Sequence, residues 1–523
     1  MVDKTTKVYF DPIHPGSNRK SKELIDDCLQ WAGSVGVPKT RSYVRVANVC
    51  ADIDIIPFNN DISTLQRAVV ERVFTVKSKE GFSRPPRPKP GHFVSVMSDT
   101  HKLLVSKLPS TAPQSHSAFV ESYRGRKRLI YQRALDDIVE GRSSLENDSK
   151  LKVFVKYEKT DVTSKIDPVP RVISPRDPKF NIRLGRYLKP LEKRIFKSIK
   201  KMFGHETVIK GFNAERSAEL MHEKWGHFHD PVAIGLDASR FDQHVSLDAL
   251  RWEHSIYLEC FPQAKHRKRL ERLLKCQEIN HCSAQCEDGY LSYTVRGTRM
   301  SGDMNTSLGN CLLMCSLIHA YSKHCGVNLD LANNGDDCVV FMERRDIGKF
   351  QQGMDEWFHS MGFNMAVEEP VDEFEQLEFC QTKPVFDGDR FIMCRNPWTA
   401  IVKDSVFLQP YNEPVFKGWM DAMGMGGLAL TGGLPIFQEF YNMYKRSGRK
   451  RKIDVELLPY NVRALGEGLS RGYRFVRDEA RASFYLAFGI TPDEQIELEK
   501  YYRNLNVGGP GGEYQPRPIF KEK

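Results

Sequence analysis

The sequence predicts an α+β fold in which a mixed core carries helical additions on both sides. Stretches such as "SLDALRWEHSIYLECF" and "HRKRLERLLKCQEI" place apolar residues at spacings of three and four with charges opposite, as amphipathic helices do. Shorter pieces rich in β-branched and aromatic residues lie between such stretches and read as strands. No self-similarity at periods of about 20 to 50 residues is evident, which argues against a solenoid or propeller.

Along the chain, "SRPPRPKPG", Ser83 to Gly91, is a basic, Pro-rich connector, extended and at the surface. "LKVFVKYEK" is an early strand, and "PVAIGLDAS" another, in which apolar Val232 to Leu236 run straight into Asp237. Ser246 or Asp248 stands where the next helix needs an N-cap. "DGYLSYTVRG" reads as a further strand, and Ser301-Gly302 as a flexible elbow before a helix that begins near Thr306. From that start Thr306 and Asn310 stand one turn apart, hence on one face. In "NLDLANNGDDCVVF", Leu329 and Leu331 alternate with polar neighbours, Asn333-Asn334-Gly335 accept positive φ, and Cys338 to Phe341 return as a strand. The segment is therefore a β-hairpin with Asp336 and Asp337 at its tip. "DCVVFME" and "DRFIMCRN" are the remaining strands. The glycine cluster "MGMGGLALTGGLP" lacks the strand, GxGxxG and helix order of a dinucleotide site and is predicted to be a turn-rich passage.

Composition narrows the function classes. With 523 residues, 40% hydrophobic and 28% charged, the chain has material for more than one core and is not that of a disordered polymer. No apolar run approaches the roughly 18 to 20 residues of a membrane-spanning helix, and "MVDKTTKVYFDP" lacks the apolar stretch of a secretion signal, so a cytosolic setting is expected. The 12 cysteines, scattered through a large chain, are expected to be mostly reduced and buried. The formal charge of +10 is concentrated: from Lys150 to Lys201 there are 16 Lys plus Arg against 5 Asp plus Glu. Such runs are commonly solvated helix faces, but this density points to phosphate, and so to nucleic acid or nucleotides.

Two like charges at a hairpin tip need a counter-charge. Water satisfies them in a simple turn, and Gly-Asp-Asp is a cheap match alone. Asp237, at a strand end, supplies a third acid, with Asp242 following in the same loop. Asp is common at element ends, which is the plainer reading of Asp237. Three acids sharing two divalent metals make chemical sense: two Mg2+ ions roughly 3.5 to 4 Å apart steady the attacking and leaving oxygens of an in-line phosphoryl displacement, and hard cations take carboxylate ligands. Ser301, Thr306 and Asn310 near such a pair have the hydrogen-bonding capacity to read a ribose.

The ordered set "DASRFD", "SGDMNTSLGN", "NNGDD" and "LEFCQTKPV" resembles motifs A, B, C and E of viral RNA-dependent RNA polymerases, and "KYEKTDVTSKIDPVPRVISPRDPKFN" resembles their motif F. "FVESYRGRKRLIYQRA" and "RASFYLAFGITPDEQIELE" extend the likeness, over about residues 115 to 500, to the replicase polymerase region of tombusvirus-like plus-strand RNA plant viruses. The resemblance implies a right-hand fold with fingers, an antiparallel palm sheet and a mostly helical thumb. Residues 1–114 would be an N-terminal extension with fingers elements, 115–230 fingers including motif F, 231–390 the palm with some fingers insertion, 391–505 the thumb and 506–523 a flexible tail.

It further implies template-directed RNA synthesis, with Asp237 and Asp336 the principal ligands of Mg2+, Mn2+ able to substitute, and Asp337 a weaker ligand. Asp242, Ser301, Gly302, Thr306 and Asn310 would form the ribose-selecting part of the nucleotide site. Lys159 and Arg171 would face the incoming triphosphate, and Lys156 and Arg176 would line its entry. "LEFCQTKPVFDGDRF" would border the primer or nascent strand. Expected partners are the RNA template, nascent RNA, nucleoside triphosphates and a viral auxiliary replication protein, in host cytoplasm at replication complexes that reach membranes only indirectly. Two departures stand out: "FHSMGFNMAVEEPVDE", where motif D belongs, has no lysine to give a proton to pyrophosphate, and nothing resembles the family's membrane-anchoring N-terminal region, as expected of a polymerase portion alone.

Two other readings stay open. A reverse transcriptase or DNA polymerase would share the split acids, although Asp242 with Asn310 resembles a ribose reader. A non-catalytic RNA-binding or capsid-like protein would use the basic run alone. Cys276, His281, Cys282 and Cys286, and likewise Cys311, Cys315, His319 and Cys325, lack the paired C-x2-C spacing of a zinc site. "KRSGRKRKID" reads as a solvated loop, a nuclear signal or an RNA contact.

Overall fold

The computed structural model describes residues 29–507 except 39, 47–48, 50–54, 79–80, 165–166 and 450–457. The opening residues, nearly all of the expected tail and part of "KRSGRKRKID" lie outside the described residues. Strand β1 (Leu29–Gly33), helix α1 (Ile62–Val69) and strand β2 (Leu151–Lys152) precede the long helix α2 (Pro178–Phe203) and α3 (Ala214–Trp225). Then come β3 (Pro231–Ala238), α4 (Leu247–Glu259), and the hairpin of β4 (Ile279–Cys286) and β5 (Gly289–Arg296). Helix α5 (Thr306–Cys325) leads to β6 (Asp330–Asn334), β7 (Asp337–Glu343), β8 (Met365–Val367), and a hairpin of β9 (Thr382–Phe386) and β10 (Phe391–Arg395). The C-terminal part is helical, with α6 (Glu413–Thr431), α7 (Phe437–Ser447), α8 (Asp478–Phe488) and α9 (Pro492–Asn504). The α+β class read from the sequence is the one observed.

A central sheet of order β6-β7-β3-β8, antiparallel throughout, organises the molecule. Side chains alternate across it. Val232, Ile234, Leu236, Leu331, Val340 and Met342 pack on one face with α2, α4 and α5. Ala233, Ala332, Val339 and Phe341 pack on the other with α3, the β9–β10 hairpin and α6 and α7. Because both faces are covered, β3 and β7 are apolar almost continuously, and α5, buried from Leu308 to Ser322, is apolar nearly all round. Ser246 is the N-cap of α4, its hydroxyl accepting from Ala249 N at 3.1 Å.

Two local expectations are corrected. Only the end of the glycine cluster is a turn, from Gly432 to Pro435: Gly424 and Gly427 lie inside α6. A Cβ on Gly427 would stand 2.1 Å from the Tyr441 ring, and one on Gly424 2.5 Å from Lys445 N of α7. Each glycine costs about 1 kcal/mol of helix propensity and lets the two helices close on one another. The helix read through to Ile279 stops at Lys275, and Ile279–Cys286 is a strand. Its strict alternation turns His281 outward, toward the Thr294 hydroxyl at 3.2 Å, and buries Cys282 and Cys286. With β1, β2 and β5 it forms a second sheet of order β1-β5-β4-β2.

The Pro-rich connector is pinned to the molecule: Arg87 donates to the Gln243 and His244 carbonyls, each at 3.1 Å, in the turn that follows β3. The described cysteines are free thiols, most of them buried. No helix among the described residues is long and apolar enough to cross a membrane.

Candidate active site

Strand register brings the acids together. β3 and β7 pair with Leu236 opposite Cys338 and Asp237 opposite Asp337; side chains directly opposite share a face, with Cβ atoms about 4.5 to 5.5 Å apart. Asn334 pairs with Asp337 across the β6–β7 hairpin, which leaves Gly335 and Asp336 as a two-residue loop. Gly335 has φ +85°, a conformation such loops demand and glycine takes without strain. Buried Asn333 clamps the turn, its Oδ1 accepting from Gly335 N at 3.2 Å and its Nδ2 donating to the Gly335 carbonyl at 2.7 Å.

The acid side chains are open to water, yet the surrounding protein thins their hydration. Burial pushes the Asp336 carboxyl up to about 6, and the negative charges of Asp242, Asp337 and Asp237 add to the shift. Asp337 is raised as well, by burial first and then by Asp237 and Glu378, against a hydrogen bond with Cys380. Carboxylates that repel one another when ionised suit a divalent cation, which favours the ionised form. Among the described residues no three His, Cys, Asp or Glu side chains close round a single point. Mg2+ fits that open arrangement, because it is held through one or two carboxylates, water and substrate phosphates rather than in an all-protein cage.

Beside the acids stands a polar network. Asn310 Nδ2 donates to Asp242 Oδ1 at 2.8 Å, and the Ser301 hydroxyl donates to Asp242 Oδ2. Gly302, at φ +122°, lies so close to Ser174 and Pro175 that a Cβ would meet Pro175 N at 3.1 Å. The Ser301 carbonyl accepts from Ser174 N at 2.7 Å, so the elbow is held against the segment that carries Arg176. Thr306 opens α5 as expected, but its hydroxyl donates to the Met300 carbonyl at 3.1 Å, steadying the elbow rather than joining Asp242.

The basic residues divide. Lys156 pairs with Glu158 at 2.7 Å, and half-exposed Arg171 meets the same carboxylate at 3.5 Å. Their strands are joined by Lys156 N donating to the Arg171 carbonyl at 2.7 Å. Lys159 points elsewhere than expected: its ammonium is buried and donates to the Lys403 carbonyl, and burial lowers it to about 8 despite nearby Asp404. Arg176 is corrected from a channel residue to a scaffold residue. Its side chain is 1% exposed and pairs with Asp303 at 2.6 Å, while its remaining donors go to Asn280 Oδ1 and the Ser149 and Cys276 carbonyls. A guanidinium has five N–H groups, so none is left for a phosphate.

Arg299 and Glu253 are the functional neighbours that the sequence reading missed. Arg299 Nε donates to Asn310 Oδ1 at 3.0 Å, and its other nitrogens pair with Glu253, both side chains being 1% exposed or less. Asn305 and Tyr257 also donate to Glu253, each at 2.8 Å. This bond fixes which way the Asn310 amide faces, and so which of its groups meets Asp242. One signal was available: Glu253 falls on the same helix stripe as Leu250, Ile256 and Tyr257, and a carboxylate there needs a buried partner.

A family model described as viral RNA dependent RNA polymerase matches residues 29–508. The chain belongs to that family of viral RNA-dependent RNA polymerases. The RNA-directed RNA polymerase of Oat chlorotic stunt virus (isolate United Kingdom) is 55% identical over 521 residues, covering 95% of this chain and 69% of the relative. Those of Tobacco necrosis virus (strain A) and Turnip crinkle virus are 43% identical over 469 residues and 40% identical over 478. These two alignments cover 89% and 90% of this chain, which spans 64% and 60% of the relatives' lengths. The tombusvirus-like character read from the motifs agrees with these relatives.

Proposed function

We propose that the chain carries out template-directed RNA synthesis for a plus-strand RNA plant virus, by nucleotidyl transfer at Asp237, Asp336 and Asp337. The register that sets Asp237 opposite Asp337, with Asp336 in the adjoining loop, carries this reading. Asp237 and Asp336 would be the main ligands of Mg2+, or of Mn2+ in its place, with Asp337 a weaker one. Two such cations supply neutralisation of the attacking and leaving oxygens.

The protein's own part is positioning and selection. Asp242, held by Ser301 and Asn310, keeps lone pairs free, since a carboxylate offers about four acceptor sites. A ribose 2′-OH would donate there and accept from the second Nδ2–H of Asn310, while a deoxyribose leaves these groups unpaired. Arg171, half-exposed and able to bind phosphate bidentately, would meet the triphosphate, with Lys156 beside it. The central sheet is read as a palm, residues 115–230 as fingers and 391–505 as a thumb, supported by the acids at one sheet end and by the helical C-terminal part. The setting proposed is host cytoplasm, at membrane-associated replication complexes joined through an auxiliary viral protein.

The test is extension on a defined single-stranded RNA by the purified chain, with ribo- and deoxyribonucleotides and with Mg2+ and Mn2+ compared. Ribonucleotide-dependent product is expected, lost in Asp336→Asn and Asp237→Ala while RNA binding persists. Equal use of both sugars removes the RNA assignment, and synthesis retained by Asp336→Asn removes the acids.

A further inference from the structure

We infer that Arg72 and Arg240 complete, with Arg171, a binding site for the phosphate chain of the incoming nucleotide. The inference rests on the polymerase reading above and adds two residues from outside the basic run.

Arg72 sits in a five-residue π-helical turn, Val70–Phe74, that continues α1. Such turns are rare and concentrate at functional sites. Arg72 Nη2 donates to the Val169 carbonyl at 3.0 Å, two residues before Arg171. Its Nε is buried and has no protein partner. Arg240 approaches from the other side, in the loop between Asp237 and Asp242. It adopts φ +52°, a left-handed conformation that is costly for a long side chain, and its Nη1 donates to the Glu71 carbonyl, next to Arg72. Backbone carbonyls thus tie Arg72 to the segment that ends in Arg171, and tie Arg240, on the loop between two site acids, to the turn that carries Arg72.

The charges there do not balance. Burial lowers Arg72 to about 10, Arg240 and Arg171 lower it further, and Glu158 and Glu71 only partly offset them. Glu158 is already shared by Lys156 and Arg171, and Glu71, whose charge also favours that of Arg240, pairs with Arg67 at 3.2 Å, which also holds Asp167 at 2.7 Å. Like charges gathered between the π-helical turn and the strained Arg240 backbone suit a polyanion. The alternative, that these arginines only tie the turn Val70–Phe74 to Val169 and to the loop after β3, makes the opposite predictions.

The test uses the full chain, inorganic tripolyphosphate as the probe in thermal-shift titrations, and incorporation kinetics. Arg72→Gln and Arg240→Gln should each abolish the tripolyphosphate-induced Tm rise and raise nucleotide KM about tenfold or more, the scale of one charge-assisted hydrogen bond, with kcat within about threefold. Arg72→Lys and Arg240→Lys should recover part of both, and the Tm of the free Gln variants should not fall. An unchanged tripolyphosphate shift and KM in both Gln variants overturns the inference, as does a fall in Tm with KM unchanged. Failure of the polymerase reading looks different, since the unaltered protein would then incorporate no nucleotide at all.

Discussion

Replacing Asp336 by Asn should make the metal-free protein more stable while ending its activity. Burial and three neighbouring acids raise the Asp336 carboxyl from 3.8 to about 6, a shift whose ceiling is about 3 kcal/mol at 1.36 kcal/mol per unit. The carboxylate is open to water, and screening reduces that ceiling to about 1 kcal/mol. For a chain of this size that corresponds to a Tm rise of about 1–2 °C. The sign follows from proton binding: between 3.8 and about 6 the folded state holds more protons than the unfolded one, so the unaltered protein loses stability as pH rises through about 6. The variant's advantage should therefore be full at pH 8 and vanish near pH 4. Thermal unfolding in EDTA, across that range, measures it directly. Added Mg2+ should then stabilise the unaltered protein and not the variant. A variant less stable than the parent at pH 8, or a difference that does not change with pH, refutes the crowding of acids at the hairpin tip.

Three further outcomes follow from the same geometry. Asp242→Ala and Asn310→Ala should each lower the preference for ribo- over deoxyribonucleotides at least about tenfold, because a site built for a hydroxyl rejects its absence through unpaired groups; an unchanged ratio removes them from sugar selection. Glu253→Ala should cost about 3–5 kcal/mol in denaturant unfolding by leaving the Arg299 guanidinium buried and unpaired, and a loss below about 1 kcal/mol would show that the pair is not buried as described. Arg176→Ala should lower Tm through its lost partners Asp303 and Asn280 while leaving nucleotide KM unchanged; a raised KM at unchanged Tm would return it to the channel.

The parts of the site that the sequence disclosed are those set by local chemistry. Asn333-Asn334-Gly335 predicts its hairpin because only such residues accept the required φ, and alternation then puts Asp237 and Asp337 on facing strands. Ser246 as a cap is equally local. Arg176 and Arg171 carry the same charge five residues apart in one run; what separates them is that Asp303, Asn280 and Cys276, about a hundred positions away, surround the first. Lys159 was drawn toward Lys403 and Asp404 by the same kind of distant contact. Gly424 and Gly427 read as turn residues because glycine breaks isolated helices, and only the closeness of α7 shows why a helix needs them. Strand β4 was hidden by its small polar residues, which have weak strand preference, although its alternation was in view.

Anomalous scattering from crystals soaked in Mn2+ with a nucleotide tests the central claim most directly. Density between Asp237 and Asp336, with Asp337 adjoining, is the result expected. Crystals that take up Mn2+ elsewhere, or in which these carboxylates do not converge on a cation with nucleotide bound, would contradict it.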